Sequence, residues 1–437
     1  MPAETKNTTW PAAIDADREA ALQAYEQAPV PTWRRSGFWT TTLRDLKLDE
    51  LKPREYAAVA SRDELPRVVR DVIGDEQYAG LIVQRGASVI YSETDAENPQ
   101  GVIACTLEQA IADHPDLVAK YYAKRVTAKD GKFAAANAAL WTGGAFFYVP
   151  ANTTVDRPFQ VINVIDEPGV TQYGRLLAVV DTSGKAVFRE YDLAPDFKGQ
   201  ALHAGVTEIF VEPNAWAKVK TFQDWGGGEV YDISTKRVTI ARDAHARWFP
   251  IHLGGHLTKQ TLDIITADNG ADMRHNGLYF TQNDEHLDLF TTDLHESGNT
   301  TGDTVWRGAA TGSSKASYEG LIEIGEHCQN SHTYLQTHSL LLSKQAKVDA
   351  IPSLIVKTDD VSASHGGTVG EVDENQVFYM RTRGISREDA IRILVEGYFE
   401  PVIEQFEDDR LKQLVRERIS GKLAEASEDI AAYAATR

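Results

Sequence analysis

Cysteine is almost missing from this sequence: Cys105 and Cys328 are the only two in 437 residues. Two thiols make no disulfide framework, and one chain could not draw the four thiolates of an iron–sulfur cluster from them. A reducing, cytoplasmic setting is the expectation. Long apolar runs are missing too; none approaches the ~20 residues that span a bilayer. The opening segment MPAETKNTTWPAAIDADREA has neither a basic start nor an apolar core, so it does not read as a signal peptide. Positive charge is in deficit: 45 Lys and Arg against 64 Asp and Glu give a formal net charge of −19. Such a surface repels phosphate, which disfavours nucleic acid and anionic membranes as partners.

Familiar catalytic templates are also lacking. Gly184-Lys185-Ala186 has no upstream glycine and no following Ser or Thr, and GAATGSSK (Gly308 to Lys315) has the wrong spacing for a phosphate-binding loop. Trp225-Gly226-Gly227-Gly228 reads as a turn. There is no GxSxG elbow and no HExxH helix. His252 and His256 are four apart, but Gly254-Gly255 between them argues against a helix.

What is present begins with ordinary globular composition, 42% apolar and 25% charged, over a length that suggests two or three domains at about 150 residues each. Residues 1–145 read as a mixed, partly helical domain. Asp15 to Ala28 is rich in helix formers and stops at Pro29 and Pro31. Leu107 to Tyr122 has helical spacing interrupted by Pro115, and Gly80 to Tyr91 reads as two short strands around a turn.

From about Phe146 short apolar, β-branched runs recur: Val161–Val164, Leu176–Val180, Ile209–Val211, Val238–Ile240, Leu262–Thr266, Leu321–Ile324 and Ser353–Val356. Turn residues followed by a small residue lie between several of them. Aligned on Ala186, Ala215, Ala244, Ala271, Gly298 and Cys328, they step by 29, 29, 27, 27 and 30 residues. A strand-and-turn repeat of this period predicts a stacked β-solenoid over 146–383. A β-sandwich is the alternative, but hairpin signals are scarce: Asn269-Gly270, Asn276-Gly277 and, upstream, Asp130-Gly131.

Residues 384–437 switch to a helical period. Ser386 and Asp389 form a capping pattern, followed by an apolar stripe of Ile391, Leu394, Val395, Tyr398, Val402 and Phe406. Pro401 is expected to kink or divide that helix. A second helix follows Glu407-Asp408-Asp409, with Leu411, Leu414, Val415 and Ile419 on one face and Ser420-Gly421 as a candidate end. The stripe either packs within its own domain or docks a partner.

Eleven of the twelve histidines lie between His203 and His365. Most are expected to be hydrogen-bonding residues of solenoid faces. His327-Cys328 has metal-ligand chemistry, yet Cys328 sits at a small position of the repeat and reads better as a buried structural thiol. His365 differs, because Gly366-Gly367 beside it permits close backbone approach and a neutral imidazole can ligate a metal or pass a proton.

The segment DDVSASHGGTVGEVDENQVFYMRTRGISREDAIRILVEGYF (Asp359 to Phe399) resembles the C-terminal signature of the SufB/SufD family of iron–sulfur assembly proteins. Pro31 to Leu46, Lys132 to Val161, His275 to Gly308 and Ser314 to Ser343 extend the resemblance over most of the chain. It implies a mainly β fold, a right-handed parallel β-helix flanked by an N-terminal mixed domain and a C-terminal helical domain. It also implies a non-catalytic scaffold in a complex with a SufB-type paralogue and a SufC-type ATPase, where a transient iron–sulfur cluster forms. The ATPase would dock on the C-terminal helices through the stripe from Ile391 to Phe406, and the paralogues would pair through their β-helices. A homodimer of the isolated chain is a further expectation. Whether a flavin joins the assembled complex stays open.

SufB-like sequences carry a cysteine in an N-C-[DE]-S-L-like stretch and glutamates in an E-H-E-A segment. Here the first reads Gln336-Thr337-His338-Ser339-Leu340, with Thr337 at the cysteine position, and the second reads Ser364-His365-Gly366-Gly367. Both departures resemble SufD. His365 then matches the SufD histidine implicated in cluster assembly, as an iron or cluster ligand at the SufB interface. Relatives can have a cysteine two residues earlier, where this chain has Ala363. A SufB-type paralogue and a β-helical carbohydrate-active enzyme are the alternatives; a simple iron-binding histidine protein is a third.

Overall fold

The computed structural model describes residues 12–34, 40–427 and 430. Its centre is a parallel β-solenoid whose coils alternate between two sheets, one of ten strands and one of eleven. In the ten-stranded sheet the rungs run in register through Lys185, Trp216, His245, Asp272, Thr301, His332 and Ser362. The expected solenoid is therefore present, and the sandwich alternative is not. Six of the seven apolar runs fall in strands of the eleven-stranded sheet, such as Leu257–Thr266 and Lys315–Ile324; Val161–Val164 lies in the other.

At one corner of the solenoid, successive coils turn through a left-handed residue. Ser183, Asn214, Asp243, Gly270, Asn299, Asn330 and Asp360 all have φ between 54° and 75°. These short polar residues and glycine tolerate that region best. In the first six of these turns the next residue forms a stacked column of Gly184, Ala215, Ala244, Ala271, Thr300 and Ser331. Its carbonyls accept from the following coil, Trp216 N to Gly184 O and His245 N to Ala215 O, both at 2.9 Å. This corrects the repeat alignment. Ala215, Ala244 and Ala271 belong to one column, but Ala186 and Gly298 miss it by two residues and Cys328 by three. Asn269-Gly270 is one of these turns rather than a hairpin, and Asn276-Gly277 lies inside the strand Asp272–Thr281.

Inside the solenoid, one continuous apolar cluster includes Phe147, Phe159, Phe188, Trp248, Trp306 and Tyr318. Two further clusters cover the outer faces. The helices Leu107–Asp113, Pro115–Tyr121 and Lys132–Leu140 pack on the eleven-stranded sheet. The helices Arg387–Ile403 and Asp409–Glu425 pack on the ten-stranded sheet against Phe222, Phe249, Leu278 and Phe280. The division at Pro115 and the hairpin Gly80–Arg85 with Ser88–Thr94 follow the sequence expectation.

Three boundaries differ. Helix begins at Glu374, ten residues before the expected start, because the last strand ends at Glu371 and Asp373 caps the next helix. Pro401 sits in the last turn of Arg387–Ile403, where it does not divide the helix. Ser420-Gly421 lies within the helix Asp409–Glu425, whose buried Ile419, Lys422 and Leu423 carry it past the glycine.

Candidate functional site

The two ends of the solenoid are closed differently. At the N-terminal end, antiparallel strands Ser88–Thr94 and Ile103–Thr106 finish the ten- and eleven-stranded sheets. At the other end the parallel strands Ser362–Glu371 and Lys347–Val356 are the last of their sheets, and among the described residues their outer edges pair with no strand. Tyr334, Ile355, Val356 and Val369 are exposed there. Unpaired strand edges beside apolar side chains are a template for another chain.

His365 stands on this open end. Register places it in the inward-facing column of Phe188, Val219, Trp248, His275, Thr304 and Leu335. Every earlier member of that column is buried, whereas His365 is exposed because no further coil covers it. Ala363 lies on the same face and packs against the interior cluster. Among the described residues, no three His, Cys, Asp or Glu side chains converge as a metal site. A metal at His365 would therefore need ligands beyond those that converge among the described residues. The cysteines do not supply them. Cys328 is buried and donates to His295 O at 3.1 Å, as expected of a structural thiol. Burial pushes the Cys105 thiol up to about 11, far from a ready thiolate.

The second inward column along from it is mostly polar: Asn163, Asp192, Gln223, His252, Tyr279, Gly308 and Ser339, ending at Val369. Lys236 Nζ lies 3.1 Å from Glu190 and 2.8 Å from Asp192. Burial raises the Glu190 carboxyl. For Asp192 burial acts the same way, but the Lys236 ammonium, His203 and the hydrogen bonds from Lys236 and Asn163 together outweigh it and hold the group low. His203 meets Gln172 at 3.1 Å, His275 meets Asp293 at 3.4 Å and His295 meets Thr300 at 2.7 Å. These contacts bear out the hydrogen-bonding role expected of the clustered histidines. His252, by contrast, is buried and neither ring nitrogen has a hydrogen-bond partner among the described residues. This seam escaped sequence reading because inward polar residues of a strand look like outward ones.

The C-terminal stripe is occupied. Ile391, Val395, Val402 and Phe406 are buried against the chain's own ten-stranded sheet, with Leu394 and Tyr398 partly buried beside them. The Phe406 ring lies 5.7 Å from that of Phe249. Ion pairs hold the docked helices. Asp408 takes Arg189 at 2.6 Å and Lys220 at 2.9 Å, and Lys422 reaches Glu285 at 3.0 Å. The apolar side chains left outward on this arm are Phe378, Tyr379 and Ile393, and the first two are 68% and 59% exposed. As a free docking face the stripe is thus corrected: the helices needed that apolar face to pack at all.

Among the described residues, no helix is long and apolar enough to cross a membrane. Two family models match the chain. "SUF system FeS cluster assembly, SufBD core domain" covers residues 163–398, and "SufBD protein N-terminal region" covers 4–161. An iron-sulfur cluster assembly SufBD family protein of Staphylococcus aureus (strain USA300) is 30% identical over 397 residues, 88% of this chain and 84% of the relative. Proteins of the same description from Staphylococcus epidermidis and Staphylococcus haemolyticus are 29% identical over the same shares. A solenoid with one open end, matched along nearly its whole length, places this chain in the SufBD family of iron–sulfur cluster assembly proteins.

Proposed function

We propose that this chain is a SufD-type scaffold subunit of the SUF system, non-catalytic and cytoplasmic. Its open end joins a SufB-type paralogue, and its helical arm takes a SufC-type ATPase. The iron–sulfur cluster is cargo, formed at the paralogue interface, where His365 offers an imidazole ligand or places a proton. The observation that carries this reading is the position of His365, on an inward column yet uncovered, and outside any group of three ligand side chains among the described residues. Stacking a second solenoid on that end would bury the imidazole beside whatever thiolates the paralogue brings. Thr337 at the cysteine position and the missing glutamates around His365 favour SufD over SufB. Without its paralogue, the same end suits a second copy of this chain. On the arm, Phe378, Tyr379 and Ile393 replace the buried stripe as the ATPase contact.

The test is reconstitution with a SufB-type and a SufC-type partner, followed by iron and sulfide analysis. His365→Ala is expected to leave thermal stability within about 0.5 kcal/mol, as for other exposed positions, while cutting cluster yield at least tenfold. A wild-type yield from that variant would overturn the role of His365.

A further inference from the structure

On its outer face, the last strand is tied to the helical arm through one intermediate residue. Tyr398, on the helix Arg387–Ile403, donates its hydroxyl to the carbonyl of His338 at 2.5 Å. The His338 ring meets the hydroxyl of Thr368 at 2.7 Å, Nδ1 to Oγ1. Thr368 lies on the open-edge strand Ser362–Glu371, three residues from His365. Tyr398 is itself fixed from the sheet: the Arg307 guanidinium sits 5.0 Å over its ring and donates to its backbone carbonyl. Arg307, His338 and Thr368 occupy one register row. Helix, sheet and edge strand are thereby joined by side-chain contacts at one point. This is a contiguous physical path of the kind through which a displacement is transmitted.

We propose that Tyr398, His338 and Thr368 form a strut that positions the open-edge strand according to the placement of the helical arm, so that a partner moving the arm shifts His365. The residues of the strut are positioning residues; none of them touches the cargo. The inference rests on the reading of the arm as a docking site and of His365 as an assembly residue, but the strut is measurable without either.

Hydrogen exchange by mass spectrometry on the full chain tests it. Tyr398→Phe keeps the ring and removes the donated bond. The strut predicts that exchange of amides 362–371 rises about two- to tenfold, the range of one hydrogen bond, while strand 257–266 is unchanged. Thr368→Val is expected to do the same and Thr368→Ser to restore the wild-type rate. The double variant Tyr398→Phe/Thr368→Val should exchange no faster than the faster single variant. The strut is overturned if Tyr398→Phe leaves 362–371 unaltered, if Thr368→Ser is as fast as Thr368→Val, or if the two effects add. Should Tyr398→Phe not fold, Thr368→Val decides alone through faster exchange in helix 387–403; an unchanged helix sinks the proposal. Failure of the functional reading is seen separately, as a His365→Ala variant that assembles clusters normally while the exchange coupling stands.

Discussion

Tyr279 reaches across a whole coil to place its hydroxyl 2.7 Å from Ser339, and it can do so only because position 308 lacks a side chain. A Cβ on Gly308 would lie 2.0 Å from the Tyr279 ring. The polar seam is therefore closely packed at this point. His252 stands in the same seam with no hydrogen-bond partner among the described residues, and burial drives its pKa down to about 3. The folded chain refuses the proton that the unfolded chain accepts below about pH 6.5. The contribution of this residue to stability is thus complete above that pH and is lost as pH falls toward 3, at about 1.4 kcal/mol per unit. His252→Leu removes this dependence. Near pH 7 the variant is expected to match the wild type within about 1 kcal/mol, because an unpartnered buried polar group is replaced by an apolar one. At pH 5 it should be more stable than the wild type by roughly 2 kcal/mol relative to that baseline. Urea unfolding at both pH values measures this; equal differences at the two would show that His252 is protonated in the folded chain.

Among the elements, the C-terminal helices show how an amphipathic stripe divides its labour. Phe406 and its neighbours hold the arm to the sheet, while Phe378 and Tyr379 point away. Phe406→Ala is expected to cost about 3–5 kcal/mol by leaving a cavity against Phe249. Phe378→Ser should change stability by about 0.5 kcal/mol or less yet weaken ATPase binding at least tenfold. Thermal melts with partner co-purification separate the two; full binding by Phe378→Ser would remove that residue from the interface. Sequence period alone does not show which apolar residues are buried, since Phe378 and Tyr379 lie on the preceding helix Glu374–Thr382, outside the stripe. The same limit applied to the solenoid. Runs such as Leu262–Thr266 were legible, but Thr301–Ala310 and Ser362–Glu371 were not, being rich in Gly, Thr, Ser and Asp. What makes them strands is stacking in register on other coils, which no local window contains. The left-handed Ser, Asn, Asp or Gly before each small turn residue was a readable signal, and it would have fixed the column that the small residues alone misaligned. His365 is legible beside Gly366-Gly367, and the resemblance adds its role. Its inward position came only from the register.

At the scale of the whole molecule, the solenoid is a stack that begins with closed edges and ends with open ones. A stack of coils buries each interior face against its neighbours, so a last coil leaves half of its contacts unmade. Natural sheets blunt such edges with inward-pointing charges, covering segments or antiparallel caps. The N-terminal end has the caps, whereas the last strand instead places Ala363, His365, Gly367 and Val369 on its inward face, and none of them carries a fixed charge. An end left uncharged in a chain of net charge −19 is fit to receive another solenoid. Val369 is the position at which to test this, because it is exposed, apolar and stacked over Ser339. Val369→Lys puts an ammonium where a joining coil would have to bury it. That burial costs several kcal/mol for an unpaired charge, or more than a hundredfold in affinity. In the isolated chain the same lysine stays in water, so the melting temperature should hold. Size-exclusion chromatography with light scattering, on the chain alone and mixed with a SufB-type paralogue, should show association by the wild type and none by Val369→Lys. Association at wild-type strength would mean that the partners meet on another face.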